Sequence, residues 1–285
     1  MPNLGTNDRD PKVIWDESHE EFIMVIYQDD PAKFIYLTSP NLLQWTRKSD
    51  ISFDNMNECP DFFPMEVEGE KGVKKWVMMS GHGKFFEGDN WNYLLGSWDG
   101  KKFTAETPQL ELEKGVGNYS TQTWSDAPNQ RRIFLGWFTR SFESFGLPGM
   151  PANGQFRIPW EFKLKRFPEG LRLTALPIKE FNTLRAKVNT WKKLIVREGE
   201  NPTAGIKDSL LDINVKFKIG TATTFGFNVM GQQISYDPIA QKITSFQYKG
   251  KPKAVSLKHK NKVLELRIIV DNGALEIFLR MVLLS

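Results

Sequence analysis

The chain has 285 residues, of which 40% are hydrophobic and 13% aromatic, with a formal net charge of +4. This length and composition fit one large or two medium domains with a substantial apolar core. The mild charge and scattered lysines, denser only from Lys242 to Lys262 as a solvated face, exclude the basic stripe of a nucleic-acid binder. No run of about 20 apolar residues could span a membrane as a helix, and the single cysteine, Cys59, cannot form an internal disulfide.

From the N-terminus, "MPNLGTNDRDP" has neither the basic n-region nor the apolar h-region of a signal peptide. Short β-rich runs follow, broken by Gly, Asp, Asn and Pro: "EFIMVIY", "KFIYLTS", "KKWVMMSG", "WNYLLGSW" and "RRIFLGWF". They form a weak repeat of roughly 50–60 residues starting near 10, 58 and 119, with "SPNLLQWT" and "SWDGKKFT" in equivalent places. A four-strand unit at that period reads as a propeller blade. About three blades are expected over residues 1–176. Residues 177–190, "PIKEFNTLRAKVNT", read as a connector with some helical pattern. Beyond it, alternating strands such as "LLDINVKFKI" and "LELRIIV" with regular turn signals, "DNG" among them, predict a β-sandwich over 191–285. The fold class expected is therefore all-β, a partial β-propeller followed by a sandwich. The nine Trp and 21 Phe suit such a core, and some could stack on sugar rings.

Two motifs open repeat units: "NDRDPK" with Arg9 and Asp10, and "NECPDFF" with Glu58. First strands of propeller blades line the central axis, so Asp10 and Glu58 would meet in one funnel despite lying far apart in the chain. Paired carboxylates are what glycoside cleavage needs, one of them protonated to donate to the leaving oxygen. Arg9 is a fork donor able to hold vicinal hydroxyls and to keep Asp10 ionised. Asp-Pro and Glu-Cys-Pro at a strand start are also common turn devices, and the spacing alone leaves both readings open. Cys59 reads as a small buried filler, since a nucleophilic thiol would want a nearby His. His19, His82 and His259 are far apart and show no metal-ligand spacing, and no cofactor or metal is expected.

"RDPKVIW", "ECPDFF", "YSTQTWSDAPNQRRIFLGW", "NGQFRIPWEFKL", "GLRLTALPIKEFNTLR" and "VDNGALEIF" together resemble glycoside hydrolase family 32, the invertases, inulinases and levanases. The likeness covers nearly the whole chain and leans toward levanase- or inulinase-type members. It implies a five-bladed propeller with a C-terminal sandwich and retaining release of terminal β-D-fructofuranosyl units from fructans or sucrose. It implies Glu58 as general acid/base, Asp10 as transition-state stabiliser, Arg9 as a ring-binding group, Trp137 as floor of the fructose subsite, and Tyr119 and Gln122 as further substrate contacts. It favours an extracellular or periplasmic location, and the exposed strand edges leave a homo-oligomer open.

Two departures accompany the likeness. The family's nucleophile lies in a Trp-Met-Asn-Asp-Pro-Asn-Gly-like segment well before "RDP", and this chain begins nine residues before Asp10. Asp8, two residues from Asp10, cannot stand in another blade, so no nucleophile is assigned. The expectation is an N-terminally shortened enzyme of impaired activity or, alternatively, a non-catalytic fructan-binding or assembly module. "VGNYSTQTW" also lacks the acidic residue usual shortly before the Tyr, with Glu113 and Lys114 out of register.

Overall fold

The structure, a computed structural model, describes residues 7–82, 91–138, 155–246 and 252–279. The chain divides into two compact units, Met1–Ile178 and Lys179–Ser285. No helix among the described residues is long and apolar enough to cross a membrane.

Among its described residues the first unit holds three antiparallel sheets, each a meander in chain order. The first is β1 (Arg9–Asp16), β2 (Glu21–Asp29), β3 (Ala32–Ser39) and β4 (Thr46–Ile51). The second is β5 (Glu58–Glu66), β6 (Lys74–Gly81), β7 (Trp91–Trp98) and β8 (Phe103–Ala105), with β9 (Leu110–Glu111) also on β7. The third is β10 (Asn118–Thr123), β11 (Arg132–Phe138), β13 (Trp160–Phe167) and β14 (Gly170–Pro177), with β12 (Gln155–Phe156) also on β11.

Middle strands such as β2 and β3 carry unbroken buried runs ("IMVIYQ", "FIYLTS") because both of their faces are covered. Between the first two sheets, Tyr36 meets Phe62 edge-on with ring centroids 5.1 Å apart and lies 5.3 Å from the Trp98 ring. Between the second and third, Trp91 meets Phe134 edge-on at 6.0 Å, and Arg132 lies over the Phe63 ring at 4.4 Å. The first strands of the three sheets are neighbours, with β5 between β1 and β10.

In the second unit, β15 (Leu210–Lys218), β20 (Val263–Asp271) and β21 (Ala274–Leu279) form one sheet. β16 (Phe225–Val229), β17 (Gln232–Asp237), β18 (Lys242–Phe246) and β19 (Pro252–Ser256) form the other. Their inner faces share one core, including Ile234 and Tyr236 from the second sheet and Leu264, Leu266 and Ile268 from the first. This is a β-sandwich built on period-two alternation, clearest in β21 (buried pattern at Ala274, Glu276 and Phe278). The helical pattern seen in the 177–190 connector is realised only as a short 3-10 segment, Lys179–Leu184, and residues 185–209 carry no strand. Leu184, Val188 and Ile195 are exposed there, so no packing supports a longer helix.

Candidate active site

The site is built from one backbone device used three times. Each first strand carries an extra residue relative to its partner: between Arg9 and Lys12, between Glu58 and Asp61, and between Tyr119 and Gln122. Each is a β-bulge, and in each the residue after the first has a left-handed backbone: Asp10 (φ 61°), Cys59 (φ 47°) and Ser120 (φ 48°). Non-glycine residues rarely adopt that region, and where they persist the surroundings must hold them. The bulges re-aim the side chains on either side, so Arg9, Glu58 and Tyr119 occupy equivalent places, as do Asp10, Cys59 and Ser120.

Those equivalent residues meet. The Tyr119 hydroxyl donates to Glu58 Oε2 at 2.6 Å, and Arg9 Nη2 donates to Glu58 Oε1 at 3.4 Å. The Cys59 N–H donates to Asp10 Oδ2 at 2.9 Å, so the bulge after Glu58 anchors the carboxylate of the bulge after Arg9. Arg9 Nε lies 3.9 Å from the same Asp10 oxygen. Glu58 and Asp10 keep 22% and 30% of their side chains open to solvent, partly buried yet reachable by a ligand. Cys59 Sγ lies 3.8 Å from Ser120 Oγ. Trp137 is directly opposite Tyr119 across β10 and β11, with ring centroids 6.1 Å apart.

The electrostatics follow from this packing. Burial, with the Glu58 hydrogen bond and charge behind it, pushes the Tyr119 phenol well up, so it remains a donor through the neutral range. Burial and then the Asp10 charge push the Cys59 thiol up to about 12, which keeps it protonated and a poor nucleophile. Burial alone would pull the Arg9 guanidinium down, but Asp29, Glu58 and Asp10 together raise it.

Of the residues singled out from sequence, Arg9, Asp10, Glu58 and Tyr119 form one bonded cluster, with Trp137 beside it. Gln122 sits one step along: its amide donates to the Pro60 carbonyl at 3.1 Å, across to the β5 bulge. Sequence reasoning missed Asp29, which pairs with Arg9 at 3.2 Å and accepts from Tyr27 at 3.2 Å, while Arg9 stacks over the Tyr27 ring at 4.8 Å. Only the spacing of Tyr27 and Asp29 at the end of an apolar strand hinted at it. It also gave Glu113 no role. This residue is buried, accepts from Asn118 Nδ2 at 2.6 Å and pairs with the buried Arg157, so it fixes the strand start next to Tyr119.

The motif order and geometry find their counterpart among known proteins. Residues 2–174 match the glycosyl hydrolases family 32 N-terminal domain, and residues 180–281 match the family 32 C-terminal domain. The chain belongs to glycosyl hydrolase family 32. It is 34% identical to a levanase of Bacillus subtilis (strain 168) over 98% of this chain and 46% of that protein. It is 30% identical to a levanase of Bacillus sp. (strain L7) over 96% of this chain and 33% of that protein. Among solved structures it resembles the exo-inulinase from Aspergillus awamori, with a TM-score of 0.85, 20% identity, and 98% of this chain and 62% of that one covered. The β-fructofuranosidase from Schwanniomyces occidentalis, complexed with fructosyl-erythritol, gives 0.72 and 20% over 97% and 63%. These structural likenesses are of fold, a β-propeller followed by a β-sandwich. The chain spans less than half the length of the two curated relatives named here.

Proposed function

We propose that the chain carries the acid/base half of a retaining β-fructosidase site, one that releases terminal β-D-fructofuranosyl units from fructans or sucrose, with turnover impaired because no residue of this sequence is assigned as the nucleophile. The observation that carries this reading is the grip on Glu58: one oxygen faces the Tyr119 hydroxyl and the other Arg9, while Asp10 is anchored one residue along. Glu58 is the general acid/base. It gives its proton to the glycosidic oxygen as that bond to the anomeric carbon breaks; retention requires a second carboxylate, not assigned among these residues, to bond the anomeric carbon in its place, and Glu58 would then take a proton from the water that displaces that carboxylate. Tyr119 and Arg9 hold its carboxyl in one orientation. Asp10 accepts hydrogen bonds from ring hydroxyls and offsets the positive charge that develops on the fructosyl ring. Trp137 offers an apolar face beside Tyr119. The levanase and exo-inulinase names of its relatives support a fructan as substrate.

The test is Glu58→Gln, assayed as fructose release from levan, inulin and sucrose. The expected result is a loss of about 10²–10⁴-fold with fructan binding retained. Unchanged turnover in the variant, or no fructose released by the wild-type chain, would overturn it.

A second reading, a fructan-binding or assembly module without turnover, is favoured by one observation. Asp29, the other carboxylate tied into the cluster, is engaged by Arg9 and Tyr27 and is not poised as a nucleophile. Calorimetric binding of levan or inulin without product would select this reading.

A further inference from the structure

Immediately past the three bulges lies a buried group with no assigned part in the chemistry. Lys12 and Asp61 are the first residues back in register on β1 and β5. Their side chains are 9% and 1% exposed, and Lys12 Nζ lies 3.3 Å from Asp61 Oδ1. Lys12 Nζ also donates to the Thr123 carbonyl at 2.5 Å, and the Thr123 N–H donates to Asp61 Oδ2 at 2.6 Å. A lysine of the first sheet, a carboxylate of the second and a peptide unit of the third thus close one ring.

The ring has a backbone reason. β10 is ladder-paired to β11 on one side only, and the edge groups of Thr123 need partners once buried. Lys12 and Asp61 supply one donor and one acceptor where a neighbouring strand would otherwise stand. Stability does not explain the choice of charged groups. Desolvating both ions costs free energy that their attraction scarcely returns, and neutral replacements of such pairs are often tolerated. A charged pair does impose geometry: it fixes distance and direction between elements that share no ladder.

We propose that Lys12 and Asp61 are a positioning pair that sets the spacing of the three bulges, and through them the juxtaposition of Glu58, Asp10 and Tyr119. Asp10 lies two residues before Lys12, and Cys59 lies two before Asp61. The Cys59 N–H···Asp10 bond therefore spans the same two strands as the ion pair, one short step away. Loss of the pair lets the bulges relax, so that bond lengthens and Glu58 leaves Tyr119. The proposal rests on the β-fructosidase reading for its effect on turnover. Its effect on site geometry is independent of that reading.

Cys59 is the chain's only cysteine, so its reaction with an aromatic disulfide reagent reports the central bulge without interference. The test compares wild type, Asp61→Asn, and Lys12→Met combined with Asp61→Asn. In the double variant the amide oxygen can still accept from the Thr123 N–H and neither charge of the pair remains. The expected result is an unfolding midpoint within about 5 °C of wild type, a thiol rate at least tenfold higher at fixed pH, and fructose release at least tenfold lower. The milder Asp61→Asn, which covers the case of a double variant that does not fold, is expected to raise the thiol rate at least threefold. A folded double variant with the wild-type thiol rate, or an unchanged rate in Asp61→Asn, would overturn the proposal and leave the pair a structural filler. If the wild-type chain releases no fructose, the β-fructosidase reading fails while the thiol rates still decide the positioning role.

Discussion

The two units use the same material, antiparallel strands, in opposite ways. Every ladder in the sandwich keeps its register, from Leu210↔Asp271 through Lys218↔Val263 and on through the sheet of β16–β19. Among the described residues, all register shifts fall in the first unit, three of them at the head of a first strand. Buried charge divides in the same way: among the described residues Lys12, Asp16, Asp61, Glu113 and Arg157 lie in the first unit, and Glu276 in the second. A regular ladder alternates faces and gives a wall with an apolar inside. An interrupted ladder leaves backbone groups and charged side chains to be satisfied across sheets, and it is there that Glu58, Asp10 and Arg9 converge. The candidate site lies where the sheet rule is broken, and the breaks require buried partners to hold them.

The sharpest way to break this comparison is to damage each unit by an equal insult. Leu266→Ala empties a core position of the sandwich that is 4% exposed, and should cost about 2–5 kcal/mol of stability, seen as a lower denaturant midpoint. The Cys59 thiol rate and the fructose released per folded molecule should not change. A change in either would mean that the regular unit also shapes the site.

Next in size is Gly136→Ala on β11. A Cβ there would collide with Asn118 Oδ1 and Thr121 Cγ2, the residues flanking Tyr119 and Ser120 on β10. Overpacking of this kind costs about 1–3 kcal/mol. The strand that yields carries the Tyr119 hydroxyl, so turnover should fall further than stability does. A loss confined to the unfolding curve would show that β10 tolerates displacement, against the reading of the bulges as a shared frame.

Much of this was legible in the residues. Unbroken runs such as "IMVIYQ" announce strands covered on both faces, and "RDP" and "EC" mark where first strands begin. The bulges left no such trace. Glycine usually flags a left-handed residue, and here the positions are filled by Asp10, Cys59 and Ser120, held by contacts from other sheets. Glu113 was out of reach for a related reason: a buried carboxylate is intelligible only with its partner, and Arg157 lies 44 residues further on, in another strand environment. Gln122 drew attention as a polar group in a site motif, and its amide donates to a backbone carbonyl of β5. In the connector, apolar spacing read as partly helical, but exposure of Leu184 and Val188 removes the packing that would have paid for a helix. Local pattern predicts elements, whereas cross-sheet partners decide which polar residues become a site.

A smaller effect is expected from Tyr119→Phe, which keeps the ring and the Trp137 contact and deletes one donor to Glu58. About a tenfold fall in kcat/KM, equal to about 1.4 kcal/mol, is expected with little change in unfolding midpoint. Equal losses in both would place Tyr119 with the scaffold.

The smallest effect belongs to the sandwich and is read by pH. Burial would push the Asp212 carboxyl up, but hydrogen bonds from Arg267 and Arg185 outweigh it and hold the group below its ordinary value. Arg267 Nε donates to Oδ1 at 2.8 Å and Nη2 to Oδ2 at 3.0 Å, and Arg185 Nε donates to Oδ2 at 2.7 Å. Because the folded pKa lies below the unfolded one, the unfolded chain binds the extra proton first as pH falls. The contribution of Asp212 is therefore fully present above about pH 5 and fades as the pH drops through the folded value. Asp212→Asn should lower the midpoint of the sandwich transition at pH 7 and flatten its decline between about pH 5 and pH 3. A variant that keeps the full acid slope would assign that slope to other carboxylates and leave the two arginines as packing groups along β15 and β20.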